Sequence, residues 1–95
     1  MIFIDNNMKT FTITFYSDPS HGWAKVKRSI LETLDIPHLI SSYSYQRGEY
    51  VYLEEDNDYS LLVDALEMHG TAIILKYKHN DNTSRIRSYE HYVHN

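Results

Sequence analysis

The chain has 95 residues, a formal net charge of -4 and no cysteine. That length supports one domain with one modest core, burying roughly 60–70% of the extended chain's surface. The balance excludes a disulfide scaffold and thiolate chemistry and argues against a basic nucleic-acid binder. No apolar run approaches the ~20 residues of a membrane span.

Residues 1–8 read as a short N-terminal extension, with a loose strand at Ile2–Ile4 and none of the features of a signal peptide. Thr10–Tyr16 alternates strictly. Phe11, Ile13 and Phe15 point one way and the threonines and Tyr16 the other, which predicts a β-strand. Ser17–Gly22 is dense in turn formers and predicts a loop. Trp23–Lys27 predicts a short strand with Ala24 and Val26 inward and Trp23, Lys25 and Lys27 outward. Ser29 and Glu32 stand at capping-box spacing beside Ile30, Leu31 and Leu34, predicting a short helix that ends at Asp35-Ile36-Pro37. Ile40–Tyr45 and Glu49–Glu55 predict the two arms of a hairpin. A second helix over 59–69, capped by Asp56 or Asp58, puts Tyr59, Leu62, Val63 and Leu66 on one stripe, and Gly70 stops it. Thr71–Lys78, apolar at its middle, predicts a strand at the centre of the sheet. The polar segment 79–95 is either a tail or a strap laid over the domain by Ile86, Tyr89, Tyr92 and Val93. The order β-β-α-β-β-α-β predicts an α+β fold: a single antiparallel or mixed sheet of about five strands with two helices on one face.

Residues 41–58 carry four of the nine tyrosines and five carboxylates around an Arg-Gly turn. Alternate residues share a strand face, so Tyr43 and Tyr45 on one arm and Tyr50 and Tyr52 on the other predict a stripe of phenols. Tyrosine offers large contact area with few torsions to freeze, and Arg47, between Gln46 and Gly48 at the tip, fits an interface anchor. A second set, Lys25 with Arg85 and Arg87, fits phosphates, with neighbouring tyrosines available to stack on bases.

The loop Ser17-Asp18-Pro19-Ser20-His21-Gly22-Trp23 invites a catalytic reading, with His21 as a general base oriented by Asp18 and Glu54 joining from across the sheet. An Asp-Pro turn with Trp23 covering a core edge explains it more simply, because triad members usually come from separate elements. A calcium loop from Asp56 fails, since its sixth position is Leu61 where glycine is required. The six histidines show no helical i, i+4 pair, so no metal and no cofactor is expected.

The blocks FYSDPSHGW, KVKR, SSYSYQRG, VYLEEDND and SRIRSY, running from Phe11 to Tyr89, resemble a family of small bacteriophage and prophage proteins. Members of that family carry glycine where this chain has Ser20. The resemblance implies action in the cytoplasm of a host bacterial cell and supplies no catalytic residue. The expected function is therefore binding and inhibition of a host defence complex through Tyr43, Tyr45, Gln46, Arg47, Tyr50 and Tyr52, flanked by His21, Trp23 and Lys25. The first alternative is a small-molecule binder that sequesters a nucleotide immune signal at Arg85, Arg87 and Lys25, with a homodimer among its expected partners. The second is a small hydrolase using His21 and Asp18. No membrane partner is expected.

Overall fold

The alternation of Thr10–Tyr16 sets the sheet. The computed structural model describes residues 9–94, so the extension at 1–8 and its strand at Ile2–Ile4 lie outside the described residues. Strand β1 (Lys9–Ser17) turns into β2 (Gly22–Lys27), helix α1 (Arg28–Thr33) and a single 3-10 turn at Pro37–Leu39. Strands β3 (Tyr45–Arg47) and β4 (Tyr50–Glu54) precede helix α2 (Tyr59–Met68) and strand β5 (Thr71–His79). A second 3-10 turn (Arg85–Ser88) leads to a short strand β6 (Glu90–His91). The six strands form one mixed sheet in the order β5-β1-β2-β4-β3-β6, with β1 and β5 parallel and every other pair antiparallel. The fold is α+β, as expected, with one strand more than the sequence suggests because the C-terminal segment adds β6 against β3.

Register divides the side chains cleanly. Phe15, Ala24 and Leu53 pair across three strands and Val26 with Val51 across two, and this face is covered by Leu31 of α1 and Leu62 and Leu66 of α2. Burying aliphatic and aromatic side chains on this face supplies the main driving force, about 1.5–3 kcal/mol for each one fully covered. Gly22 is fixed by this packing, since a Cβ there would lie 2.5 Å from the Phe15 ring. Gly48 is fixed by its backbone: its φ of 59° opens the two-residue turn that joins β3 to β4. Tyr92 of the C-terminal segment closes the far end of this core and donates its hydroxyl to the Pro37 carbonyl at 2.8 Å.

Several local expectations are corrected. Residues 40–44 are not a hairpin arm: Ser41 and Ser44 turn inward to Asp58, which is only 2% exposed. The Asp58 carboxylate accepts from the Ser41 amide, the Ser41 hydroxyl and the Ser44 hydroxyl, and Ser44 in turn accepts from the Glu54 amide. Asp58 therefore precedes α2 without capping it through its side chain, and neither does the predicted Ser29–Glu32 box form, since α1 starts at Arg28 with Lys27 at its N-cap, two residues before Ser29. Strand β5 is an edge strand and not a central one. Its apolar run buries only one face, and Ile74 on the other is 48% exposed.

Asp58 ties the irregular segment 40–44 to the start of α2, so its loss leaves buried donors unpaired. Asp58→Ala is expected to lower the free energy of unfolding by about 3 kcal/mol in urea titrations, and Asp58→Asn by less.

Candidate functional site

The second face of the sheet is built from polar aromatics and cations. In register, Tyr16 pairs with Lys78 and Trp23, Lys25 with Tyr52, Tyr52 with Tyr45, and Arg47 with Tyr50. No α-helix covers this face among the described residues. The C-terminal segment crosses it, and Ile86 completes a small core with Trp23 and Tyr52, flanked by Tyr16, Tyr45, Tyr50 and Tyr89.

One ion pair holds that segment down. The Asp18 carboxylate, 5% exposed, accepts from both the Nε (2.7 Å) and an Nη (2.9 Å) of Arg87. The same carboxylate takes the amides of Ser20, His21 and Ser84, each at 3.0 Å. The two-pronged guanidinium bond is geometrically the strongest kind of ion pair. The Arg87 hydrogen bonds, with the three amide donors adding to them against the opposing pull of burial, hold the Asp18 carboxyl far below the usual carboxylate range. The same bond raises Arg87 above its ordinary value. The Arg87 guanidinium then lies over the Trp23 ring at 5.5 Å. The Trp23 indole N–H is buried with no hydrogen-bond partner among the described residues.

Beside this staple lies an open groove of about 340 Å³, lined chiefly by Tyr16, Lys25, Tyr52, Lys78, Arg85 and Tyr89. Its phenols pack at tilted angles: Tyr52 stands 5.1 Å from Tyr89 and 6.4 Å from Tyr16. Burial pushes the Tyr52 phenol up, with Tyr89 and Tyr16 adding to the effect, so it stays a neutral donor at physiological pH. The cations sit against ring faces, Lys25 over Tyr50 at 4.1 Å and Lys78 over Tyr16 at 5.9 Å. No carboxylate lines the groove, and Lys25, Lys78 and Arg85 make no salt bridge among the described residues. Three cations beside three phenols form a wall that attracts anions and offers π faces.

The sequence-predicted residues divide between this groove and other places. Lys25, Tyr52 and Arg85 enter it. Arg47 borders it, 5.0 Å over Tyr89, and Tyr50 supports Lys25. Arg87 is separated from Arg85, because Asp18 occupies its guanidinium. Gln46 shares the helix-covered face with Val51 and accepts from Arg28, so it is not part of a tyrosine stripe. Tyr43 lies outside β3 and is 67% exposed. Tyr16, Lys78 and Tyr89 were not singled out as site residues. For Tyr16 and Lys78 the signal was their outward phase on strands, and for Tyr89 nothing local places it here.

The catalytic reading changes partners. Asp18 bonds the His21 backbone amide and not its ring. The ring nitrogen instead faces Glu54 at 3.6 Å, in a shallow cleft of about 320 Å³ with Trp23, Tyr43 and Tyr45. That spacing is too long for an orienting hydrogen bond. The other Glu54 oxygen is taken by the Asp56 and Asn57 amides and the Asn57 side chain. The described lining of this cleft offers no serine, threonine or cysteine as nucleophile. No cluster of three or more metal-ligating side chains occurs among the described residues, and no described helix is long and apolar enough to cross a membrane.

No family model, curated protein or solved structure matches the chain.

The Asp18 staple fixes a pH signature. Its depressed folded-state pKa means that its stabilisation is complete above the ordinary carboxylate range and is lost as pH falls through and below it. The difference in urea midpoint between the wild type and Asp18→Asn is expected to be constant above about pH 5 and to shrink below about pH 4. At neutral pH, the Asp18→Asn protein should exchange the amides of residues 84–92 faster than those of β2 and β4, as read by hydrogen exchange.

Proposed function

We propose that the protein is a binding protein for an anionic ligand that carries an aromatic ring, of the nucleotide class, held in the groove between Tyr16, Tyr52 and Tyr89. The observation that carries this reading is the coincidence, in one groove, of three phenols and three cations that have no carboxylate partner among the described residues. Lys25, Lys78 and Arg85 would take the phosphate oxygens and a tyrosine face the base. The groove volume lies at the small end of ligand sites, which suits one nucleotide unit. In the setting implied by the resemblance to phage and prophage proteins, such a binder acts in the host cytoplasm and withholds a nucleotide signal from a defence system.

Inhibition of a host protein complex is the second reading. Its support is the exposure of Tyr43 and of Arg47 at the hairpin tip, where side chains are available to a partner. It is weaker than the sequence suggests, because Tyr52 is buried beneath Ile86 and Tyr89 and the stripe is not displayed whole.

Calorimetry against mononucleotides, cyclic mononucleotides and cyclic dinucleotides tests the first reading, with adenosine and ribose 5-phosphate as half-ligands. At least one nucleotide is expected to bind below about 1 mM, more tightly than either half-ligand. Lys25→Ala and Arg85→Ala should each weaken it by about tenfold, and Tyr43→Ala should leave it unchanged. Affinity should fall as salt rises. Retention of none of these ligands would remove the proposal.

A further inference from the structure

Among the described residues, strand β5 presents an unpaired edge. It pairs with β1 on one side, and no described strand pairs with the other. The Asn80 amide donates to the Ser17 carbonyl at 2.8 Å, continuing the parallel ladder, so even-numbered peptide groups of β5 face β1. The odd-numbered residues Thr71, Ile73, Leu75, Tyr77 and His79 therefore direct their N–H and C=O groups outward along the whole nine-residue strand. An edge of this length is a template for another strand unless it is covered.

The side chains on this edge show what would cover it. On the helix-covered face, Tyr77 is 72% exposed and rests against Phe15 at 5.9 Å. Toward the N-terminal end of the strand, on the α2 side, Tyr59, Val63, Glu67 and Ile73 line an open, mostly apolar cleft of about 470 Å³. An exposed aromatic ring and an open apolar cleft lie on one strand, on opposite sides of its midpoint.

We propose that β5 pairs with β5 of a second copy of this chain, antiparallel about a two-fold axis at Leu75, joining two sheets into one. In this register Thr71 faces His79, Ile73 faces Tyr77 and Leu75 faces its own symmetry mate. All the outward peptide groups are then in phase, giving about ten inter-strand hydrogen bonds. Directly paired residues share a sheet face, so each copy's Tyr77 enters the cleft beside the other's Ile73 and Tyr59. His79 comes opposite Thr71, at the end of the cleft that carries Glu67.

On the other face Lys76 falls opposite Ile74 and Lys78 opposite Ala72, so no two lysines meet. Charge fixes this register on one side: moving the axis to Lys76 or Tyr77 sets Lys76 against Lys76 or Lys78, which is unfavourable. Moving it toward Ile73 shortens the ladder and takes Tyr77 away from the cleft. Lys78 and His79 at the end of this strand also line the ligand groove, but Ile74 and Tyr77, where the test substitutions fall, do not, so the association test does not require ligand binding.

Sedimentation of the full chain up to about 0.5 mM is expected to show a monomer–dimer equilibrium. Ile74→Arg, on an exposed position, places a cation opposite Lys76 twice per dimer and should weaken association by about tenfold, while Ile74→Glu should retain or tighten it. Tyr77→Arg should also dissociate the dimer. Circular dichroism of each variant should match the wild type, which shows that the monomer stays folded. A monomer throughout the concentration range overturns the proposal. So does a dimer that responds to neither Ile74→Arg nor Tyr77→Arg, or one that Ile74→Arg and Ile74→Glu weaken equally.

Discussion

The Asp18 carboxylate organises more of this molecule than any other polar group. Its donors come from the β1–β2 loop and from the C-terminal segment, which are distant in sequence. With them in place, the loop is a closed turn and residues 84–88 are pinned over the sheet. Ile86 can then cover Trp23 and Tyr52, and Tyr89 can stand beside Tyr52. A carboxylate buried without such partners would be strongly unfavourable, so its full set of donors is what allows the charge to sit there. The groove is a consequence, because its outer wall is formed by Arg85, Ile86 and Tyr89, and these follow from where Arg87 is tied.

The two faces of the sheet solve different problems with one alternation. The helix-covered face is aliphatic and phenylalanine-rich and has two helices to exclude water. Among the described residues the second face is crossed by a thin strap, too narrow to bury a full layer of aliphatic side chains. Tyrosine and lysine suit it, since each combines an apolar body with a polar tip that can reach water. The acidic balance of the chain does not carry over to this face. Asp18 and Glu54, the carboxylates beside Trp23, are engaged by Arg87 and by the turn before α2, while the groove itself collects lysine and arginine. Net charge describes solubility and long-range steering, whereas a local field depends on which strand positions point together.

Local pattern made most of the framework legible. The alternation of β1, the inward phase of Ala24 and Val26 on β2 and the Leu62–Leu66 stripe of α2 follow from periodicity alone. What periodicity cannot carry is the destination of a side chain that bonds far along the chain. Ser41 and Ser44 read as residues of a hairpin arm and Asp58 as a helix cap, yet both serines bond Asp58 across a loop. Arg85 and Arg87 read as a basic pair, and only the tertiary position of Asp18 separates a free cation from a structural one. The apolar run of β5 reads as a central strand because hydrophobicity does not say whether one face is covered or two. Lys25 and Arg85 were found by residue type. Tyr89 was placed in the groove by a segment with no periodicity.

Strand β5 shows how one strand serves three directions. Its even side chains include Lys78, which borders the groove, and Ile74 and Lys76 beside it; Ile73 and Leu75 pack toward the helices. Its odd peptide groups point along the sheet plane, away from β1. A substitution at an exposed even position changes charge on the groove face without disturbing the packing of Ile73 and Leu75. A proline at an odd position removes an outward donor and leaves the ladder to β1 intact, because that ladder is carried by the even peptides. Groove chemistry, core packing and edge availability are thus separable on the same nine residues, and the reason is geometric: the two-residue period of a strand assigns them to perpendicular directions.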